Sequence, residues 1–201
     1  MNRPLSDSDP RSRSVLGRRS LLLGAAALGG ATIMGAPRMT TAASLPQDDV
    51  RALNVLLLVE YTQVAFYTEA LRRGALGSGL LRYARQVASQ EAEHLRFLKR
   101  LLTRKADPKP DFDFGEATGR PDTFVVAATK IEDLAVGAYN GAGSNVSPEV
   151  LAEAAKIVSV EARHAAWIRS IVDELPAPDA TDEALSADEV LERLSRLGVR
   201  R

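Results

Sequence analysis

The sequence predicts an all-α domain: a four-helix bundle made of two antiparallel helical hairpins joined by a long crossover, with a short helix after it. Three observations predict this. From Asp48 onward, apolar residues recur at helical spacing and strand signals are few. The connections between the helical segments run short, long, short, the order that two hairpins and one crossover require. And the first half of the region can be laid over the second, so that one helical hairpin is used twice.

Taken in order, the chain first presents an address rather than a structural element. Gly17-Arg18-Arg19-Ser20-Leu21-Leu22-Leu23 leads into an apolar, Gly/Ala-rich run to Ala36, and Thr41-Ala42-Ala43 supplies small residues that suit a signal peptidase. This looks like a twin-arginine export signal. Its apolar run, about 16 residues diluted by glycine, is short for a membrane span. Residues 1–43 are therefore expected to be a signal peptide, 44–176 the bundle, and 177–201 a tail with a short helix. The mature protein is expected in the periplasm or outside the cell, with no stable membrane span once the signal is removed.

Helix one is predicted over Asp49 to Arg73, stopped by Gly74, and helix two over Gly79 to Arg104, ended by Asp107-Pro108-Lys109-Pro110. Lys105 to Pro121 is long enough to cross the bundle, and Phe112 and Phe114 would pin it there. Helix three follows Pro121 and is expected to stop near Gly141-Ala142-Gly143. Helix four begins at Ser147-Pro148-Glu149, a capping residue followed by proline at the first helical position, and ends before Pro176. A weaker helix is predicted from Ser186 to Leu197.

Composition removes several function classes. Lysine plus arginine and aspartate plus glutamate balance at 26 each, so nothing in the charge argues for nucleic acid as a partner. The absence of cysteine excludes disulfides, thiolate zinc sites, a cysteine nucleophile and a lipobox-type anchor. Any metal must be held by nitrogen and oxygen.

The two histidines each lie three residues after a glutamate, as Glu91 with His94 and Glu161 with His164. That spacing puts both side chains of a pair on one helix face about one turn apart. The face is apolar in both cases, shared with Val87 and Leu98 in helix two and with Ile157 and Ile168 in helix four. Glu60 falls on the apolar stripe of helix one with Leu53, Leu57 and Tyr67, and Glu132 on that of helix three with Ala128, Val136 and Tyr139. Four carboxylates thus point inward with no lysine or arginine beside them, an arrangement too costly unless a cation or hydrogen bonds offset the lost hydration. Two divalent ions would neutralise four carboxylates, and oxygen plus imidazole donors suit iron or manganese. Tyr67 and Tyr139, each seven residues after a glutamate, read as core aromatics with a hydroxyl to satisfy, the alternative being partners of the ligands near the metals, and Glu69, Glu93 and Arg163 as solvated charges.

With this pattern the chain resembles the ferritin-like di-metal carboxylate superfamily from Asp48 to Leu175. It looks most like exported bacterial ferritin-like domain proteins with desiccation-related relatives. The superfamily's pattern is a glutamate on helices one and three and Glu-x-x-His on helices two and four. The resemblance implies Glu91 and Glu161 as bridging ligands, Glu60 and Glu132 as terminal ligands, and His94 and His164 binding one ion each. It further implies two divalent metal ions, iron first and manganese second, with O2 or H2O2 as the partner, and it allows a homodimer. The expected activity is ferroxidase-like or peroxide-removing; the alternative is a non-enzymatic stress protein with a structural metal site. The symmetric ligand pattern is closer to bacterioferritin, rubrerythrin or manganese catalase than to animal-type ferritins, and the lack of cysteine excludes rubrerythrin's second iron site.

Overall fold

In the computed structural model the described residues are 45–200, and the expected export segment lies outside them. Four long helices run over Gln47–Arg73 (α1), Ser78–Leu102 (α2), Pro121–Gly143 (α3) and Pro148–Ile171 (α4), and a shorter one over Ala187–Arg196 (α5). The chain turns between α1 and α2 within residues 74–77 and between α3 and α4 within 144–147. Such short links make each pair an antiparallel hairpin. α1 packs on α2 and α3, and α4 on α3 and α2, so the order around the bundle is α1, α2, α4, α3. Among the described residues no helix is long and apolar enough to cross a membrane.

The helix ends follow from local chemistry. Gly74 closes α1 at φ 70°, a left-handed conformation that glycine adopts without penalty, and its N–H returns to the Ala70 carbonyl. Asp48 and Asp49 stand in the first turn of α1 and Arg72 and Arg73 in the last, each sign facing the favourable end of the helix dipole. Ser147 caps α4 by accepting from the Val150 N–H, with Pro148 in the first turn. Asp49 reinforces that cap from α1, accepting from both the N–H and the hydroxyl of Ser147. Ser186 and Glu189 form a reciprocal capping box at the start of α5.

The helix boundaries fall within one or two residues of the sequence expectation, and α4 ends before Pro176 as expected. α2 ends at Leu102, and Thr103–Lys105 form a turn of 3-10 helix begun by Thr103 at a positive φ. α3 ends at Gly143, within the Gly141-Ala142-Gly143 stretch expected to stop it, and Gly141 also serves packing. A Cβ at Gly141 would lie 1.8 Å from the Leu185 carbonyl oxygen. The missing side chain lets the tail press onto α3, where the Leu185 N–H donates to the Gly137 carbonyl at 2.9 Å.

The crossover is pinned as expected and by one further device. Phe114 is buried edge-on against Phe66, 5.4 Å between ring centroids, and Phe112 stacks on Phe114. The further device is a two-residue antiparallel ribbon of Asp111–Phe112 (β1) with Val199–Arg200 (β2), which ties the crossover to the C-terminus. Glu69 is not merely solvated: it pairs with Arg73 and accepts from the crossover hydroxyl of Thr118 at 2.6 Å.

The apolar core falls into two clusters. One gathers Leu53, Leu56, Leu57, Leu98, Leu102 and Ile157 with the residues under α5; the other gathers Phe66, Tyr83, Val87, Phe124, Ile131 and Ile168. In α2, α3 and α4 the inward glutamate falls between the residues of the two clusters, and in α1 only Tyr61 of the first cluster lies beyond Glu60. A polar layer therefore crosses the middle of the bundle.

Candidate metal centre

Each long helix contributes one carboxylate to that layer, because each places a glutamate in register with its apolar stripe. Glu60, Glu91, Glu132 and Glu161 are all fully buried. His94 and His164 follow one turn after Glu91 and Glu161. All six residues singled out in the sequence are brought together.

They form two overlapping groups, each with donor atoms within 4.8 Å of one another: Glu60, Glu91, His94 and Glu161 in one, Glu91, Glu132, Glu161 and His164 in the other. Glu91 and Glu161 belong to both. His94 Nδ1 lies 2.9 Å from Glu161 Oε1 and 3.0 Å from Glu91 Oε2, and His164 Nδ1 lies 2.9 Å from Glu91 Oε1 and 3.4 Å from Glu132 Oε2. The imidazole rings are 6.4 Å apart, inclined at 29°.

Around this layer stand partners that orient the donors. Tyr67 donates to Glu132 Oε1, and Tyr139 donates to Glu60 Oε1 at 2.5 Å, so each tyrosine reaches from its own hairpin into the other. The hydroxyls that the sequence leaves to be satisfied in the core are thus satisfied by the site carboxylates. Tyr83 stands 3.1 Å from the Tyr67 hydroxyl, with Trp167 edge-on against its ring. Gln63 Nε2 donates to Glu161 Oε2 at 2.8 Å and to Glu132 Oε2 at 3.3 Å. Gln90 Oε1 accepts from His164 Nε2 at 2.8 Å.

The tyrosines and glutamines extend the site beyond the six. For Gln63 a signal exists in the sequence: it follows Glu60 by three residues, the same one-turn spacing as Glu-x-x-His. For Gln90 there is none, since it precedes Glu91 by one and leaves the apolar stripe.

The electrostatics are those of a layer that must hold positive charge. Burial, then the charges of Glu161 and Glu91, push the Glu60 carboxyl well above the usual range. Burial also raises Glu132, and the His164 imidazole beside it limits the rise to about 8. Burial alone would raise Glu161 too, but the His164 and His94 imidazoles beside it outweigh burial and hold that carboxyl at about 2. Burial works against protonated imidazoles, yet Glu161 and Glu91 carry His94 up to about 9, and Glu132, Glu161 and Glu91 carry His164 up to about 12. Without another cation, the site retains protons in place of one.

Five buried atoms nevertheless find no hydrogen-bond partner: Glu60 Oε2, Gln63 Oε1, Glu91 Oε1, Glu161 Oε1 and His164 Nδ1. Glu91 Oε1 and His164 Nδ1 approach to 2.9 Å without the alignment of a hydrogen bond. Four of the five belong to the two donor groups. Buried polar atoms are rarely left unpaired, and a cation coordinated by them removes the cost. The donor set is oxygen and imidazole nitrogen alone, in a buried layer with two shared carboxylates. It fits a pair of divalent metal ions.

Comparison with known proteins agrees with this geometry. A family model described as "Ferritin-like domain" matches residues 48–174, the whole of the bundle from the first turn of α1 to just past α4. The chain belongs to the ferritin-like domain family. No curated protein matches it. In this ferritin-like protein the matched span holds every residue of the polar layer, whereas α5 and β2 lie beyond it.

Proposed function

We propose that this ferritin-like protein is an exported di-iron or di-manganese protein that reacts with O2 or H2O2, as a ferroxidase or a remover of peroxide. The observation that carries the reading is the pair of overlapping donor groups that share Glu91 and Glu161. Glu91 and Glu161 would serve both ions, with Glu60 and His94 holding one and Glu132 and His164 holding the other.

When bound, the two ions would supply two electrons, one from each, to a small oxidant. The chain's own residues do the rest. Glu91 and Glu161 fix the spacing of the two positions from neighbouring helices. Tyr67 and Tyr139 hold their protons against Glu132 Oε1 and Glu60 Oε1; burial, and then the adjacent carboxylates, push both hydroxyls well above the ordinary tyrosine range, so they stay donors. Gln90 holds the His164 proton at Nε2, which leaves Nδ1 to face the layer. The two apolar clusters on either side exclude water and larger solutes. The proposed export agrees with a site assembled during folding, since the twin-arginine route carries folded proteins.

The test is elemental analysis of the mature protein purified from its exported fraction, beside a Glu91→Ala, His94→Ala double variant. Binding of about two equivalents of iron or manganese, lost in the variant, is expected for a site of this type. Turnover with ferrous iron or with H2O2 then distinguishes the two activities. A folded mature protein that contains no metal and turns over neither substrate refutes the reading and leaves the polar layer as a structural device.

A further inference from the structure

The two halves of the bundle carry matching sets of candidate ligands, but their surroundings do not match. In the duplicated pattern Gln63, three residues after Glu60, corresponds to Ala135, three after Glu132; Gln90, just before Glu91, corresponds to Val160, just before Glu161. Each amide has a counterpart that can neither donate nor accept through its side chain.

Both amides serve the same side of the layer. Gln63 is fully buried and joins Glu161 Oε2 and Glu132 Oε2 through its Nε2. Gln90 fixes the imidazole of His164. With Tyr67 on Glu132, the group of Glu91, Glu132, Glu161 and His164 has an orienting partner on three of its four members. In the other group, Tyr139 orients Glu60 and Gln63 reaches the shared Glu161, while residue 160, the counterpart of Gln90, is valine. The His94 side chain is also the more open, at 12 % against 3 % for His164.

We propose that Gln63 and Gln90 make the two metal positions unequal, so that the position at His164 fills first and holds its ion while the position at His94 fills second and exchanges. This rests on the di-metal reading above. The physical ground is pre-organisation: a ligand held in place by an outer partner need not be ordered when the ion arrives, and loss of such a partner typically weakens metal affinity about 10–100-fold. Gln63 and Gln90 are thus positioning residues. Both act on the His164 position, though Gln63 also touches the shared Glu161.

The experiment is an anaerobic titration of the metal-free, full-length mature protein with Mn(II), with free Mn(II) followed by electron paramagnetic resonance. Two phases are expected, their dissociation constants separated by about 10–100-fold. His94→Ala removes the weaker phase and keeps the tighter. Gln90→Leu weakens the tighter phase toward the weaker, whereas Gln90→Glu, whose carboxylate still accepts from His164 Nε2, keeps it tight. Gln63→Leu weakens the tighter phase more than the weaker. Two indistinguishable phases in the native protein, loss of the tighter phase in His94→Ala, or equal weakening of both phases by the glutamine variants would overturn the ordering. Native protein that binds no Mn(II) in either phase overturns the di-metal reading and the ordering with it, a result that the other outcomes cannot mimic.

Discussion

Loading the polar layer with metal should expel protons in a definite number. With all four carboxylates ionised and both imidazoles neutral, the six side chains carry four negative charges, which either four protons or two divalent cations would balance. The metal-free site has four groups whose proton affinity is raised: Glu60 well above the carboxylate range, Glu132 to about 8, His94 to about 9 and His164 to about 12. At pH 7 Glu132, His94 and His164 hold their protons, and coordination requires that they give them up. About three protons should therefore leave as two divalent ions enter, and a fourth where Glu60 is also protonated. The assay is anaerobic calorimetric titration with Mn(II) at pH 7 in buffers of different ionisation enthalpy, where the dependence of apparent heat on buffer reads the protons released. The pH dependence has a fixed sign: affinity rises with pH because protons compete with the ion. The rise slackens between about pH 8 and 9, as Glu132 and then His94 lose their protons unaided. A release near zero, or an affinity flat between pH 6 and 8, would refute the proton-loaded description of the metal-free site.

Three further outcomes follow from the same structure. Metal-free protein should lose stability as pH climbs from about 5 to 9. Groups with raised folded-state affinity bind protons more tightly folded than unfolded, so their contribution is complete below the unfolded values and lost as pH passes through about 8 for Glu132 and about 9 for His94; a melting temperature that rises over this window contradicts the assignment. Gly141→Ala should destabilise by about 1–4 kcal/mol, because loss of the Leu185 N–H bond to Gly137 and of part of the Leu185 burial outweighs about 1 kcal/mol of helix propensity. Gly79→Ala, with nothing within 4 Å, is the control that should not destabilise, and thermal melts of the pair decide the matter. Asp49→Ala should cost about 1–3 kcal/mol in chemical denaturation by leaving the Ser147 donors of the α4 cap without their buried acceptor.

What was legible in the sequence, and what was not, divides along a physical line. Periodicity is a property of one helix, so the four long helices and the inward direction of Glu60, Glu91, Glu132 and Glu161 could be read before any contact was known. Glu-x-x-His was legible for the same reason, since its geometry is fixed by the turn of a single helix. Contacts between helices were not. Gln90 points along no stripe, and only the approach of α4 makes it a partner of His164. Glu69 looks solvated on its own helix and is tied to Thr118 only once the crossover has folded over it. Gly141 reads only as part of a helix stop from local chemistry, and the backbone of residue 185, more than forty positions away, makes it a site of close approach as well. The β1–β2 ribbon is too short to leave any alternation to find.

The reciprocal tyrosines show why the duplicated hairpin must be used twice before the site exists. Glu60 and Glu91 belong to the first hairpin, but the hydroxyl that satisfies Glu60 comes from Tyr139 in the second; Glu132 and Glu161 belong to the second, and Tyr67 and Gln63 reach them from the first. A lone first hairpin would keep His94 beside Glu91 but leave Glu60 without Tyr139 and both carboxylates without the second histidine, so much of their desolvation cost would stand uncompensated. Assembly of the polar layer and docking of the two hairpins are thus one event. Elements with no donor in the layer strengthen that docking: the crossover ties Phe112 to Val199, and the tail lies on Gly137 and Gly141 of α3 while α5 also packs on α1. On this argument a substitution in the tail, such as Gly141→Ala, should loosen the layer as well as the tail. It should lower metal retention together with melting temperature, although it touches none of the six candidate ligands.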